Sequence, residues 1–494
     1  RYGAAMSDAG AGDVWDVIVI GGGPPGENAA QYAIAGSDRT AVIVEAQLVG
    51  GECSYWACMP SKALLRPVEV AGAARALPGV AGRLAGGLDV PAVLARRDEF
   101  TSHHDDSGQI AWCRSAGIDV LRGWGRLAGE RTVTVTQLSG EERTIRARHA
   151  VVLVTGSVAA VPPVPGLAAA HPWISRDVTN LQEIPRRVAV VGGGVVACES
   201  ATWLRGLGAE EVTVIEKSSR LLGKLEPMAG ELVGERFAEV GIRVLTGATV
   251  SQVSRPGADA TGIGRIHGGP AVLTVDGSDI EVDEIVVEAG RRPTSDNIGL
   301  ETVGLDVSGS HGFIPVDDHL GVIGVDGEWL YALGDVCGRA LLTHMGKYQA
   351  RVAGDVIRAR AEGRPLDGPQ YTDVADHGAI PAVIFSDPQV ASVGLTEEAA
   401  RAAGIDVEVV SYDIGAVAGA SLLRDGYKGK SLLVIDRAAD VLVGATFVGP
   451  EVAELLHAAT VAVVGAVPLS KLWHAVPSYP TVSEIWLRLL EARR

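Results

Sequence analysis

The chain has 494 residues, of which 63 are glycine, and a formal net charge of −17. A chain of this length is expected to form two to four domains, each large enough to bury its own core. Binding to nucleic acid or to an anionic membrane surface requires clustered positive charge, so the acidic balance predicts neither partner. An enzyme that acts on a small molecule is therefore the expected class.

The cysteine content and the N-terminal residues bear on the cellular compartment. Only five cysteines occur, an odd number in a long chain, which predicts a reducing cytoplasm rather than a disulfide-stabilised secreted protein. Residues 1–12 are small and polar, so we expect no secretory signal, with Met6 as a candidate first native residue. Glycines and prolines interrupt the apolar stretch at 150–170, which predicts a strand, a turn and a loop rather than a membrane helix.

The first predicted elements are a strand at 16–20, a glycine-rich turn and an alanine-rich helix, followed by a strand at 40–44 that ends at Glu45. The glycines of the turn are Gly21, Gly23 and Gly26. Such glycines let the backbone approach a pyrophosphate at the helix N-terminus, and the acid accepts hydrogen bonds from a ribose hydroxyl. This segment therefore predicts a dinucleotide site.

Two cysteines five positions apart, Cys53 and Cys58, follow this turn directly, and Lys62 comes four residues later. The spacing alone is also typical of two buried or unreactive thiols. A working thiol pair belongs beside a positive charge or an electron acceptor that lowers the thiol pKa; here Lys62 would supply the charge and a bound flavin the acceptor. The position after a dinucleotide turn thus favours a redox-active disulfide.

The strand, turn and helix pattern recurs from residue 188, and its glycines and acid are Gly192, Gly194 and Glu216, with Ala197 at the third glycine position. In both copies 24 residues separate the first glycine from the acid. Two dinucleotides are therefore predicted. Glu216 favours NAD because a carboxylate repels a 2′-phosphate, whereas Ala197, Lys217 and Arg220 keep NADP open as an alternative.

Together with these motifs, the chain resembles the FAD-dependent pyridine nucleotide–disulfide oxidoreductases, the group that contains dihydrolipoamide dehydrogenase, glutathione reductase and mercuric reductase. The resemblance spans nearly the whole chain and includes 155–157, 290–293 and 330–335. It implies an α/β fold with two Rossmann-like dinucleotide-binding domains and a C-terminal α+β dimerisation domain. The boundaries that we predict are 12–164 and 292–365 for the two parts of the FAD domain, 165–291 for the NAD(P) domain and 366–494 for the interface domain.

The resemblance also implies roles for individual residues. Cys53 is expected to be the thiol that exchanges with substrate, and Cys58 the thiol against the flavin. Lys62 is expected near the reactive flavin nitrogen, paired with Glu199. The implied FAD-binding residues are Gly21, Gly23, Gly26, Glu45, Gly51, Lys62, Thr155, Gly156 and Asp335. The implied NAD(P)-binding residues are Gly192, Gly194, Ala197, Glu216 and Gly290.

The chain departs from the family near its C-terminus. Dithiol-handling members place a histidine base before a proline, with an orienting glutamate four residues after that proline, whereas this sequence has Tyr479, Pro480 and Glu484. A phenol titrates at about pH 10 and an imidazole at about 6.5, so a tyrosine is the poorer general base at neutral pH. Turnover of lipoamide or glutathione is put in doubt. His474 is an alternative base, although a loop histidine without a role is the favoured interpretation.

Tyrosine at this position resembles mercuric reductase, but the C-terminal cysteine pair of those enzymes is missing, and we predict no metal site. Tyr55 and Trp56 between the cysteines either pack as core or line the pocket and favour an aromatic acceptor. His344 is assigned no role, and Cys113, Cys198 and Cys337 are expected to be buried.

The sequence thus predicts an enzyme that moves electrons between NAD(P)H and a disulfide or dithiol substrate through Cys53 and Cys58. The alternative is a flavin reductase that acts on a quinone, a metal ion or another non-thiol acceptor, with Tyr479 in place of the histidine. A cytoplasmic homodimer is expected, because in the family the 479–484 segment of one subunit completes the disulfide site of the other.

Overall fold

The computed structural model describes residues 13–84 and 86–493. The expectations for residues 1–12 and Met6, and the predicted domain limits at 12 and 494, lie outside the described residues. The strands, numbered in chain order, are Val14–Ile20 (β1), Ala41–Glu45 (β2), Ile118–Arg122 (β3), Trp124–Leu127 (β4), Thr132–Thr136 (β5), Glu142–Leu153 (β6), Ser157–Ala159 (β7), Arg187–Val191 (β8), Glu211–Glu216 (β9), Ile242–Thr246 (β10), Val250–Ser254 (β11), Ala271–Val275 (β12), Ser278–Val282 (β13), Glu284–Val287 (β14), Arg291–Pro293 (β15), Leu330–Ala332 (β16), Pro381–Ile384 (β17), Gln389–Gly394 (β18), Val407–Asp413 (β19), Lys430–Asp436 (β20) and Val441–Gly449 (β21).

The α-helices are numbered separately, also in chain order. They are Pro24–Ile34 (α1), Gly51–Tyr55 (α2), Cys58–Arg75 (α3), Val90–Phe100 (α4), Ser107–Ser115 (α5), Ser175–Thr179 (α6), Val195–Gly206 (α7), Pro227–Glu239 (α8), Thr343–Ala361 (α9), Glu397–Ala402 (α10), Ala418–Leu423 (α11), Leu456–Val464 (α12), Leu469–Leu472 (α13) and Ile485–Ala492 (α14).

The chain divides into two units, each assembled from separate segments. The first contains the residues up to 58, 101–158 and 291–376, and the second contains 59–100, 159–290 and the residues from 377 on. The predicted domain boundaries at 164, 291 and 365 stay predictions.

The first unit is built on a parallel ladder in the order β3-β2-β1-β6-β16, which β5 and β4 extend in antiparallel pairing. Both faces of this sheet are covered: Val17 and Val19 of β1 belong to one buried apolar cluster, and Ile18 and Ile20 belong to another. Successive residues of a strand point to opposite faces, so a continuous apolar run is what a doubly covered parallel strand requires. Helices α1 and α9 pack closely on one side, where a Cβ atom on Gly354 would lie 2.4 Å from the Cβ of Tyr32.

The second unit contains a second parallel sheet, in the order β10-β9-β8-β14, and a small antiparallel sheet, β11-β12-β13. Its C-terminal part is a five-stranded antiparallel sheet, β17-β18-β21-β20-β19. Helix α14 packs on this sheet through Ile485 and Leu489, which lie one turn apart and are buried. The predicted α/β class, with two Rossmann-like sheets and a C-terminal α+β part, is confirmed.

Among the residues that the structure describes, none of the helices has the length and apolar character needed to cross a bilayer.

Candidate functional site

The two glycine-rich turns adopt the same conformation at their first glycine. Gly21 and Gly192 have φ angles of 110° and 123°, in the left-handed region that side chains rarely adopt. A Cβ atom would lie 2.2 Å from the carbonyl oxygen of Val154 at Gly21, and 2.4 Å from that of Glu288 at Gly192. Only glycine therefore fits at the end of β1 and of β8.

The second glycine of each turn faces open space. A Cβ atom on Gly23 would find its nearest neighbour at 3.9 Å, and one on Gly194 would find nothing within 4 Å. Gly23 and Gly194 are also the N-cap residues of α1 and α7. Each turn thus leaves room at a helix N-terminus, where backbone N–H groups bind a pyrophosphate. Both turns fit the dinucleotides predicted for them.

Each parallel sheet carries an acid beside its turn, and the two acids have matching contacts. Glu45 accepts hydrogen bonds from the N–H groups of Gly22 and Gln47, both at 2.7 Å. Glu216 accepts from the N–H groups of Gly193 and Ser218, both at 2.6 Å. Burial raises the pKa of Glu45. The equal sequence interval in the two copies thus corresponds to one contact pattern made twice.

Asp335, the predicted FAD-binding residue of the 330–335 motif, lies in the first unit. Its carboxylate accepts a hydrogen bond from the Ser157 hydroxyl. Arg291 also donates to that hydroxyl, at 2.6 Å, and its Nε lies 3.6 Å from Asp335. Ser157 and Arg291 lie within the predicted motifs at 155–157 and 290–293, where neither has a predicted role. The hydroxyl of Thr155 donates to the carbonyl of Thr294 at 2.5 Å.

The other predicted cofactor residues lie at element ends or within the two helices that follow the turns. They are Gly26 in α1, Gly51 at the start of α2, Gly156 after β6, Ala197 in α7 and Gly290 before β15.

The two cysteines of the predicted redox pair are in contact. Cys53 lies in α2 and Cys58 is the first residue of α3; both are half-buried and the sulfurs are not bonded to each other. The hydrogen bond with Cys58, and then burial, raise the pKa of Cys53. The pair is thus placed for reversible disulfide formation.

Two residues that the sequence analysis did not single out face this pair. The hydroxyl of Thr343, at the start of α9, lies 3.4 Å from the sulfur of Cys58. The same hydroxyl and the ammonium group of Lys347 both act to lower the pKa of Cys53. No local sequence pattern marks either residue, because their approach to the pair arises from the packing of α9. Thr343 is half-buried, whereas His344 and Lys347 are exposed.

The two aromatic residues between the cysteines have different environments. Tyr55 is buried, its hydroxyl donates to the carbonyl of Val49 at 2.9 Å, and burial raises its pKa. The interpretation of Tyr55 as core is confirmed. Trp56 is half-buried, and its ring lies 4.3 Å from that of His104 between centroids.

In the second unit, Lys62 and Glu199 form an ion pair, with 2.7 Å between Nζ and Oε2. The other oxygen of Glu199 accepts the N–H of Phe385 at 2.9 Å, and the Lys62 ammonium lies 5.1 Å from the centre of the Phe385 ring. Phe385 follows β17, so the C-terminal sheet orients this pair. The role of Phe385 was not predictable from the sequence, since a backbone donor leaves no signature in residue type.

The structure does not bring Tyr479 and Glu484 together. Tyr479 is 76% exposed, whereas Glu484 is 6% exposed and accepts a hydrogen bond from Arg488 at 2.7 Å. Within the described ranges, Oε2 of Glu484 is buried without a hydrogen-bond partner. His474 is exposed, at the end of the turn that follows α13.

The other three cysteines, Cys113, Cys198 and Cys337, are buried, as predicted. Burial raises the pKa of Cys113 to about 12 and that of Cys337 to about 11. Over residues 13–84 and 86–493, no group of three or more His, Cys, Asp or Glu side chains is arranged to hold a metal ion.

Comparison with known proteins places this site in a family. Residues 15–359 match the family model of the pyridine nucleotide-disulphide oxidoreductases, and residues 380–489 match the dimerisation domain of that family. The dihydrolipoyl dehydrogenase of Chlamydia muridarum is 32% identical over 478 residues, which are 96% of each chain. The mercuric reductase of Staphylococcus aureus is 28% identical over 95% of this chain and 81% of that protein.

Solved structures agree on the fold. The copper(II) complex of the HOCl-induced flavoprotein disulfide reductase RclA from Escherichia coli has a TM-score of 0.81 at 21% identity, covering 97% of this chain and 99% of that one. LpdA from Mycobacterium tuberculosis has a TM-score of 0.81 at 23% identity, with the same coverage. The chain therefore belongs to the pyridine nucleotide-disulphide oxidoreductases, FAD-dependent enzymes that use NAD(P)H.

Proposed function

We propose that this enzyme passes electrons from NADH to a small disulfide through Cys53 and Cys58, as a cytoplasmic homodimer. The observation that carries the proposal is the contact between the two cysteines, in the same unit as the first dinucleotide turn. Cys53 is the thiol that meets substrate, and Cys58, at the start of α3, is the thiol that faces the flavin.

The thiol chemistry of the proposal balances in two steps. In the reduced pair, the thiolate of Cys53 attacks one sulfur of the substrate disulfide; the substrate S–S bond breaks, a mixed disulfide forms and the first thiol leaves with a proton. The thiolate of Cys58 then attacks the sulfur of Cys53 and releases the second thiol. The substrate gains two electrons and two protons, and the enzyme pair becomes a disulfide.

The residues proposed to bind the cofactors form two sets, one for each dinucleotide turn. Glu45, Asp335 and the first turn would hold FAD, and Glu216 and the second turn would hold the nicotinamide dinucleotide. When bound, these groups supply the two-electron transfer that reduces the enzyme disulfide. Lys62, oriented by Glu199, would keep a positive charge beside the flavin. We propose NADH as the donor because the Glu216 carboxylate disfavours a 2′-phosphate.

The homodimer is proposed for the shared site that the family builds from two subunits. Supporting it, the 380–489 match is to a dimerisation domain, and large apolar side chains of this region are exposed in the single chain. These side chains are Leu422, Val461, Val464, Val476 and Tyr479. Tyr479 and Glu484 of one subunit would complete the disulfide site of the other. The domain limits that we propose remain 12–164, 165–291, 292–365 and 366–494.

A quinone or a metal ion as acceptor is not favoured. The chain belongs to a family of disulphide oxidoreductases, which favours a disulfide acceptor over either. Tyr55 is buried on the carbonyl of Val49, so of the two rings between the cysteines only the half-buried Trp56 is left to meet an aromatic acceptor.

The proposal is tested by an acceptor screen with NADH and NADPH, covering lipoamide, glutathione disulfide, other small disulfides, quinones and Hg(II). We expect reduction of at least one disulfide by the wild type and loss of at least about a thousandfold in Cys53→Ser. Cys113→Ala is the matched control, because it removes a buried thiol outside the pair. Disulfide reduction that survives Cys53→Ser, or quinone reduction with no disulfide reduced, would contradict the proposal.

A further inference from the structure

We propose that Lys347 is a positioning residue for the thiol chemistry: from helix α9, it holds a positive charge against the Cys53–Cys58 pair and stabilises the thiolate of Cys53. This inference rests on the proposed function, since it concerns the thiol that would attack the substrate. The proposed role of Lys347 is electrostatic, and Lys347 belongs to the first unit. The C-terminal segment of this chain carries Tyr479 at the position of the family's histidine base.

The position of Lys347 follows from helix geometry. Thr343 is the first residue of α9, and its hydroxyl contacts the sulfur of Cys58 at 3.4 Å. Residues four apart share one face of a helix, so Lys347 lies one turn further along the face that meets the cysteines.

Packing fixes α9 against the first dinucleotide turn. A Cβ atom on Gly346 would lie 2.6 Å from the Cγ of Pro25, and one on Gly354 would lie 2.4 Å from Tyr32. The two helices therefore approach too closely for α9 to shift or rotate without steric clashes. The backbone of α9 at Lys347 is thus held in place by the core, and the exposed lysine side chain extends from that fixed position.

The groups that act most strongly on Cys53 have opposite effects on its pKa. Contact with Cys58 and burial raise its pKa, whereas the Thr343 hydroxyl and the Lys347 ammonium oppose that rise. Lys347 is the cation among them. An opposite charge nearby favours the ionised form of an acid, so Lys347 increases the fraction of Cys53 present as thiolate.

A buried glutamate, Glu27, opposes the effect of Lys347 on Cys53. Glu27 of α1 is 7% exposed, accepts a hydrogen bond from Gln109 of α5 at 3.1 Å, and is close enough to Lys347 that the lysine acts to lower its pKa. Burial nevertheless raises the pKa of Glu27 to about 7. Glu27 also acts to raise the pKa values of Tyr55 and Cys113. When ionised, Glu27 opposes the field of Lys347, so removing its charge should strengthen the effect on Cys53.

The test measures the rate of iodoacetamide alkylation of the NADH-reduced holoenzyme against pH, under anaerobic conditions, with the alkylated cysteine located by mass spectrometry. In Lys347→Met we expect the midpoint of Cys53 alkylation to rise by about one pH unit, which is roughly tenfold slower alkylation below both midpoints. Lys347→Arg should restore the wild-type midpoint. Glu27→Gln should move the midpoint by less and in the opposite direction.

Arg351→Met is the matched control, because it removes a positive charge from the same helix one turn further on, where the guanidinium lies over Tyr348. Its midpoint should equal that of the wild type. An unchanged midpoint in Lys347→Met, an equal shift in Arg351→Met, or a rise in Glu27→Gln would overturn the inference. The readout needs no disulfide substrate, so failure of the proposed function, seen as disulfide turnover that survives Cys53→Ser, is distinguished from failure of this inference.

Discussion

Two glutamates of the second unit are almost equally buried but differ in what surrounds their carboxylates. Glu199 is 2% exposed and has both oxygens engaged, one by the ammonium of Lys62 and the other by the N–H of Phe385. Glu484 is 6% exposed and has one oxygen on Arg488; in the described part of the chain, the other oxygen is buried without a hydrogen-bond partner.

The difference separates the two ends of the proposed electron path. A buried charge is costly unless it is paired and hydrogen-bonded, so a single subunit completes the environment of Glu199 by itself. Glu484 belongs to the segment that is proposed to reach the partner subunit, and an incomplete environment in one chain is what a shared site would leave. The environment of Glu199 is thus a property of the single chain, and that of Glu484 a property of the proposed dimer.

Removing the cation from the Lys62–Glu199 pair should cause the largest loss of stability. In Lys62→Met, the carboxylate of Glu199 stays buried without its ammonium partner, and we expect a loss of about 3 kcal/mol in the free energy of unfolding. The stopped-flow rate of flavin reduction by NADH should fall as well. Chemical denaturation of the variant measures the first quantity.

Lys428→Met is the control, because Lys428 forms an exposed ion pair with Glu239 at 2.6 Å, and exposed pairs contribute at most about 1 kcal/mol. The double variant Lys62→Met with Glu199→Gln should recover part of the stability. If Lys62→Met is as stable as Lys428→Met, Glu199 does not depend on its pair.

A third buried glutamate, Glu27, extends the comparison to a carboxylate hydrogen-bonded by a neutral amide, that of Gln109. Its pKa in the folded chain is about 7, above the ordinary value, so the native state binds the proton more tightly than the unfolded state does. Its contribution to stability is present below about pH 4.5 and is lost as the pH rises through 7.

Denaturation at several pH values measures this loss. We expect the wild type to lose roughly 2–3 kcal/mol between pH 4.5 and 8 relative to Glu27→Gln, whose amide does not titrate. Parallel pH profiles of the two proteins would show that Glu27 is not held with a raised pKa.

Substitutions of Tyr479 test the segment that is proposed to reach the partner subunit. Tyr479→His installs an imidazole, which titrates near neutral pH, and should raise kcat/KM for a disulfide or dithiol substrate by about tenfold. Tyr479→Phe should change kcat/KM little, because we assign the phenol no proton transfer. A loss of tenfold or more in Tyr479→Phe would assign the proton transfer to the phenol instead.

The smallest expected effect concerns nicotinamide choice. Glu216→Ala removes the charge that repels a 2′-phosphate and should reduce the preference for NADH over NADPH by about fivefold, measured as the ratio of kcat/KM values. Lys217→Met is the control and should leave that ratio unchanged. A wild type that prefers NADPH would contradict the assignment of Glu216.

What the sequence could predict depended on how local the signal was. The two turns were predictable, because glycine spacing and a following acid encode a local strand, turn and helix, and Gly21 and Gly192 have the same geometry. Lys62 and Glu199 were found through the family resemblance, but the N–H of Phe385 was not, since a backbone donor can belong to any residue. Lys347 was missed for a related reason: its proximity to Cys53 arises from the packing of α9 on α1, which no local pattern records.

The central claim is that Cys53 and Cys58 form a redox-active pair coupled to the flavin. Anaerobic dithionite titration of the purified holoenzyme tests it most directly, by counting the electrons taken up per flavin. The account predicts two electron pairs per flavin in the wild type, one for the flavin and one for the disulfide, and a single pair in Cys53→Ser. A single pair in both proteins would contradict it.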